Sequence, residues 1–252
     1  MLTMRTPMLA IFSFVRMTSR LSIAQIRIPY RTRDDTFDFT DLKFLDPLTQ
    51  FKEWFEDAVK SGLVYEANAM ALATSTRSGI PSVRYVLLKE LDERGFSFFT
   101  NYESRKAIEL ESNPNASLLF YWEPLHRQVR VEGTVTRLPE EESAEYFSKR
   151  PRQSQLAAMA SPQSEVIPSR QSFVDSVKEL ENLYPEGETV PKPKNWGGYV
   201  LYPHTIEFWQ GQSTRMHDRI RFRRITPEEQ ASIDPKVTHV GEGGWVYERL
   251  AP

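Results

Sequence analysis

The segment Trp209-Gln-Gly-Gln-Ser-Thr-Arg215-Met-His217-Asp-Arg219 sets three cations or potential cations at alternate positions behind an aromatic residue and a glycine. In extended backbone Arg215, His217 and Arg219 share one face; in a helix only Arg215 and Arg219 do. Guanidinium groups grip oxyanions bidentately, and an imidazole donates or accepts a proton near neutral pH. With Gln210 and Gln212 as further donors, the segment reads as a surface for an anion or a developing negative charge. A solvated charged loop is the plain alternative.

Other cations stand where strands should be apolar. Arg84 and Lys89 fall on one expected strand at an odd separation, which projects them from opposite faces toward two different anions. Ser104, Arg105 and Lys106 sit at a helix start, where backbone N–H groups and the dipole favour phosphate and where cations serve the helix itself poorly. Tyr146 and Arg150 lie four apart on a helix that Pro151 breaks, with Ser154 opening the next, an arrangement fit for a phosphate clamp. Gln128, Arg130 and Glu132 alternate with Val129 and Val131 along one strand.

These side chains belong to a chain of 252 residues, 40% hydrophobic and 26% charged, with a formal net charge of -2. It has no cysteine, which removes disulfides, thiolate metal sites and a cysteine nucleophile. The four histidines, His126, His204, His217 and His239, lack the i, i+4 spacing of a helical zinc site, so no metal is expected. Residues 1 to 33 hold six arginines and no acid, and removing those six from 32 basic residues leaves 26 against 34 acidic ones. An acidic body argues against nucleic acid as the partner. The Arg-rich leader has the composition of a mitochondrial presequence, so a mitochondrial or cytoplasmic protein is expected and not a secreted one. Its apolar run, Met8 to Val15, is too short to span a membrane.

After the leader, residues 34–252 are expected to form one domain. Asp46 caps a helix that starts at Pro47 and stops at Gly62, with Phe51, Trp54, Phe55 and Val59 facing the core. Strands follow at Met70 to Thr76, Ser82 to Leu88, Phe96 to Thr100, Ala116 to Trp122 and Gln128 to Leu138, separated by turn signals such as Ser78-Gly79 and Arg94-Gly95. Hairpin-length links predict antiparallel neighbours in meander order, a small barrel or curled sheet, interrupted by one helix that Ser104 caps. Helices are predicted over Glu140 to Lys149, Gln155 to Ala160 and, capped by Ser169, to about Leu183. Strands return at Tyr199 to Tyr202, Ile206 to Gln210, Ile220 to Arg224, a half-buried edge, and Trp245 to Leu250. No Gly-rich strand-to-helix turn is present, which excludes a dinucleotide fingerprint and a P-loop.

Several motifs carry a family resemblance. Arg84-Tyr-Val-Leu-Leu-Lys89, Phe99-Thr-Asn-Tyr-Glu-Ser-Arg-Lys106, Phe120-Tyr-Trp-Glu-Pro-Leu-His-Arg-Gln128, Trp196-Gly-Gly-Tyr, Trp209-Gln-Gly-Gln, Arg215-Met-His-Asp-Arg219 and Tyr247-Glu-Arg-Leu-Ala-Pro252 resemble pyridoxamine 5'-phosphate oxidase. The resemblance runs from about Arg27 to Pro252. It implies a mainly antiparallel α+β fold, the FMN-binding split β-barrel, and a homodimer with flavin at the interface. It also implies oxidation of pyridoxine or pyridoxamine phosphate to pyridoxal phosphate by O2.

Carried over by position, the resemblance assigns the flavin to Arg84, Tyr85, Val86, Leu87, Phe99, Thr100, Arg105, Lys106, Gln128, Gln163, Ser164, Trp209 and Arg219. It assigns the substrate phosphate to Lys89, Tyr146, Arg150 and Ser154, the pyridine ring to Arg215 and His217, and a closing segment to Arg27 through Tyr30. Two phosphorylated ligands need two anion sites, which the cation groups above supply. Whether Arg215 or His217 acts as a base stays open, because arginine is a poor base and His217 can serve by positioning alone. Two other readings fit the same barrel: a non-catalytic carrier of FMN or pyridoxal phosphate, and a flavin reductase using a nicotinamide donor.

Overall fold

The structure is a computed structural model and describes residues 36–252. The basic leader, Arg27 and Tyr30 lie outside the described residues. The strands are β1 (Ala69–Ser75), β2 (Pro81–Leu87), β3 (Glu90–Leu91), β4 (Phe96–Asn101), β5 (Asn115–Trp122), β6 (Arg127–Arg137), β7 (Trp196–Gln210), β8 (Asp218–Arg224), β9 (Thr238–Val240) and β10 (Trp245–Arg249). The helices are α1 (Pro47–Lys60), α2 (Arg105–Ser112), α3 (Glu140–Ser148), α4 (Arg152–Ala160), α5 (Arg170–Leu183) and α6 (Pro227–Gln230).

Helix α1 begins as its sequence dictates. The Asp46 carboxylate accepts the Thr49 N–H at 2.8 Å, and Pro47 fills the first helical position, where no donor is needed. Phe51 and Trp54 are buried, but the expected Val59 is exposed and Ala58 takes its place. Spacings of 3 and 4 from Phe51 lead to 54 and 58, so position 59 falls off the apolar stripe.

All strand pairs are antiparallel, and the sheet runs β2-β1-β5-β6-β7-β8-β10-β9, with β4 joining β7 and β3. This departs from a meander. The β1–β2 and β5–β6 hairpins form as the turns predict, but α2 separates β4 from β5, and β4 pairs instead with the N-terminal half of β7. Strand β7 is one 15-residue strand, where the sequence predicts two around Pro203. Pro203 sits opposite a register shift at Glu132/Gly133, a place where a missing backbone donor costs no ladder bond. Gly133 is needed at that bulge, because a Cβ there would lie 2.1 Å from the Tyr202 carbonyl oxygen. Strand β8 is interior, paired with both β7 and β10, and not an edge. Its alternation reads correctly, with Ile220 and Phe222 fully buried.

Two apolar clusters result. One packs α1 into the sheet through Phe51, Phe96, Phe120, Trp122 and Phe208; the other joins α3, α4 and the start of β7 through Phe147, Leu156 and Trp196. Among the described residues, no helix is long and apolar enough to cross a membrane, and no cluster of three His, Asp or Glu could hold a metal ion.

Candidate active site

A cavity of about 710 Å³ opens between β2, β4, α3 and α4. Its wall includes Arg84, Tyr85, Val86, Leu87, Lys89, Phe99, Thr100, Lys106, Tyr146, Arg150, Ser154 and Gln163. Arg84 and Lys89 thus share one cavity, against the opposite faces that strand alternation predicts. The reason is that β2 ends at Leu87, so the period-two rule no longer governs Lys89.

One part of the wall is a cluster around Lys106, which lies in the first turn of α2. Its ammonium donates to Thr100 Oγ1 at 3.0 Å, Ser104 Oγ at 3.3 Å and Gln163 Oε1 at 2.9 Å. Gln163 also accepts from Thr100 Oγ1 at 2.8 Å, which fastens the 161–169 loop to β4. Ser104 stands at the N-cap position, yet its hydroxyl makes no capping bond and turns to Lys106 instead. Burial, together with the nearby Arg84 guanidinium, brings Lys106 down to about 8. Among the described residues no carboxylate bonds this ammonium, which is what a site awaiting an anion should look like. Ser164, beside Gln163, adopts a left-handed φ of 77°.

Elsewhere on the wall, Arg150 lies over the Trp196 ring, 4.7 Å from its centroid, and its buried Nη1 has no hydrogen-bond partner among the described residues. Burial lowers the pKa of this guanidinium. An unpaired buried guanidinium nitrogen is costly unless a ligand completes it. Phe99, Tyr146 and Trp196 stack in series, with Phe99 and Tyr146 centroids 4.0 Å apart at 20°. Trp196 is therefore a wall residue that the sequence shows only as part of the Trp196-Gly-Gly-Tyr motif, with no site role attached to it. Ser154 is the third residue of α4 and not its first, because the helix already starts at Arg152.

The remaining expected residues lie elsewhere. Arg105 is outside the cavity wall and bonds Glu109 Oε1 through Nε at 2.9 Å. Gln128, Trp209 and Arg219 are cross-strand partners in a row over β6, β7 and β8. Glu207, two residues from Trp209 and buried, accepts from Arg219 Nε and Arg130 Nη2, both at 2.7 Å. Residues 211–217 form a turn and not an extended strand, and Arg215 is exposed with φ 64°. His217 packs its ring 4.8 Å from that of Trp209, and burial, with Arg215 beside it, lowers its pKa. The alternation of Arg215, His217 and Arg219 therefore does not describe their directions, since only Arg219 is within a strand.

A cavity lined by several cations and an aromatic stack fits a phosphorylated ring compound. Comparison with known proteins agrees. Residues 55–184 match the family described as pyridoxamine 5'-phosphate oxidase, and residues 196–252 match the pyridoxine 5'-phosphate oxidase C-terminal dimerisation region. The chain belongs to the pyridoxamine 5'-phosphate oxidase family. It is 57% identical over 232 residues to a pyridoxine-5'-phosphate oxidase of Bos taurus, covering 92% of this chain and 88% of that one. A pyridoxine/pyridoxamine 5'-phosphate oxidase of Bombyx mori is 48% identical, covering 92% and 90%. Among solved structures, PhzG from Burkholderia lata 383, in complex with tetrahydrophenazine-1-carboxylic acid, superposes with a TM-score of 0.75 at 31% identity, covering 87% and 98%. A pyridoxamine 5'-phosphate oxidase-related, FMN-binding protein of Nostoc punctiforme shares the fold, with a TM-score of 0.61 at 17% identity over 80% of this chain and 97% of that one. The family's split-barrel architecture is thus the fold of this chain.

Proposed function

We propose that this chain oxidises pyridoxine 5'-phosphate and pyridoxamine 5'-phosphate to pyridoxal 5'-phosphate with FMN as cofactor. Oxygen is the acceptor, hydrogen peroxide the second product, and the amine substrate also takes up water and releases ammonia. The observation that carries this reading is that one cavity wall holds Arg84, Lys106, Lys89 and Arg150 together. When bound, FMN supplies a hydride acceptor at N5 and returns the electrons to oxygen.

The chain's own residues bind and orient. Arg84, Lys106, Thr100 and Gln163 suit the flavin phosphate, while Lys89, Tyr146, Arg150 and Ser154 suit the substrate phosphate. Closing both anions into one cavity holds two flat rings near each other, which removes much of the entropic cost of transfer. His217 would sit over the pyridine ring with Arg215, as a donor and not a base, because its Nδ1 already accepts the Gln212 N–H at 3.0 Å.

Gln128, Trp209, Arg215, His217 and Arg219 do not line the cavity of the same chain. Trp196 and Trp209 are both on β7, thirteen residues apart, which as extended strand is about 40 Å. One FMN would reach both groups only if a second copy supplied the Trp209 end. The match of residues 196–252 to a dimerisation region supports such a homodimer.

The test is anaerobic. Protein reconstituted with FMN should bleach on addition of pyridoxine 5'-phosphate and recover its colour in air, with peroxide formed. A flavin that stays oxidised would indicate a carrier, and bleaching by NADPH alone would indicate a reductase.

A further inference from the structure

Buried Glu109 lies behind the cation group and is not accounted for by the reading above. It projects from α2 toward β1 and β2. Its Oε2 accepts from Thr74 Oγ1 and from Ser82 Oγ at 2.9 Å, and is 3.5 Å from Arg84 Nη2; its Oε1 accepts from Arg105 Nε at 2.9 Å. The two hydroxyls act as relays. Thr74 Oγ1 accepts from Arg84 Nη1 at 2.6 Å, Ser82 Oγ accepts from Arg84 Nη2, and each then donates to Glu109. The direction of every bond therefore runs from arginine to carboxylate. Burial alone would raise the Glu109 pKa, but the donors from Thr74, Arg105 and Ser82 outweigh it and hold the group at about 2.

We infer that Glu109 is a positioning residue that fixes Arg84 for the phosphate of the cofactor, and so sets the preference for FMN over riboflavin. This rests on the reading of the cavity as a flavin site. Four donor groups converge on two oxygens, and no neutral side chain of this size offers that many acceptors. In Glu109→Gln an amide NH2 would face donors on one side or the other, and Arg84 would lose its fixed plane while the volume stays the same.

Charge balance taken alone makes the opposite prediction. Removing an anion beside two arginines should tighten the binding of a phosphate dianion. The sign of the change therefore separates positioning from neutralisation. Full-length apoprotein and Glu109→Gln would be titrated with FMN and with riboflavin. We expect FMN to bind at least ten-fold more weakly to the variant and riboflavin to bind within two-fold of wild type, with Glu109→Asp recovering part of the preference. Tighter FMN binding, an unchanged ratio of the two affinities, or equal loss of both would overturn the inference. Wild type that binds neither flavin would instead remove the reading of the cavity. If Glu109→Gln does not fold, Ser82→Ala decides, since it deletes one relay and leaves the carboxylate: the FMN preference should fall, and an unchanged preference would overturn the inference.

Discussion

The backbone N–H of Gln212 donates to Nδ1 of His217 at 3.0 Å. A neutral imidazole that accepts at Nδ1 carries its proton on Nε2, so His217 is set as a donor by the turn that precedes it. Burial, then Arg215, lowers its pKa, against the opposing charge of Asp218.

The sign of the pH dependence follows. The folded value lies below the ordinary 6.5, so the stability this ring contributes is complete above about pH 6.5 and is lost as pH falls through the folded value. Protonation would also break the Gln212 bond. Turnover should fall on the acid side with flavin still bound, and His217→Leu should abolish that acid limb while losing about 100-fold in kcat. A pH–rate profile of both proteins checks this.

Lys106 makes the opposite prediction at the alkaline side. With a value of about 8 in the empty site, it loses its proton as pH rises, while a bound phosphate favours the charged form. FMN affinity should therefore weaken above about pH 8, and binding there should take up a proton. Calorimetry in two buffers of different ionisation heat measures that uptake; no uptake at pH 8.5 would contradict the assignment.

Arg150 Nη1 is buried and unpartnered among the described residues, and the Trp196 face holds the guanidinium in place. Arg150→Met should raise KM for pyridoxine 5'-phosphate by 10- to 100-fold, from the loss of about 1.5–3 kcal/mol of charged hydrogen bonding. The folded state should be no less stable, since an uncompensated buried group has gone. Steady-state kinetics and thermal melting read the two effects apart.

Gly198 backs the aromatic wall. A Cβ there would lie 2.7 Å from Phe99 Cε1 and 2.5 Å from Leu138 Cδ1. Phe99 cannot retreat freely, because Tyr146 is stacked 4.0 Å from it. Gly198→Ala should destabilise the protein by about 1–3 kcal/mol and weaken flavin binding in step. A variant with wild-type melting and wild-type flavin affinity would show that the wall is softer than this packing implies.

Much of this arrangement was legible from local chemistry. Asp46-Pro47 announces α1, the alternation of Val129 and Val131 with Gln128 and Arg130 shows which face of β6 is buried, and Ile220 with Phe222 does the same for β8. What was not legible depends on distant partners. That β4 pairs with β7, roughly a hundred residues on, leaves no trace in the turn that follows β4. The shared cavity of Arg84 and Lys89 depends on where β2 stops, and strand ends are the least determined feature of a pattern. Glu109 looks like any helix-surface acid in the sequence; only the strands laid over it make it a buried acceptor. The motif resemblance supplied the names of the site residues, but not the separation of Trp209, His217 and Arg219 from the cavity in one chain.

The length of β7 has a consequence for chains of mixed composition. If each flavin is held by Arg84 of one copy and Trp209 of another, a chain damaged at either position is inactive when paired with itself. A hybrid of an Arg84 variant with a Trp209 variant then gathers both lesions at one of its two sites and leaves the other wholly native. Two inactive parents would thus yield offspring with half the activity of the wild type, without any change to either chain.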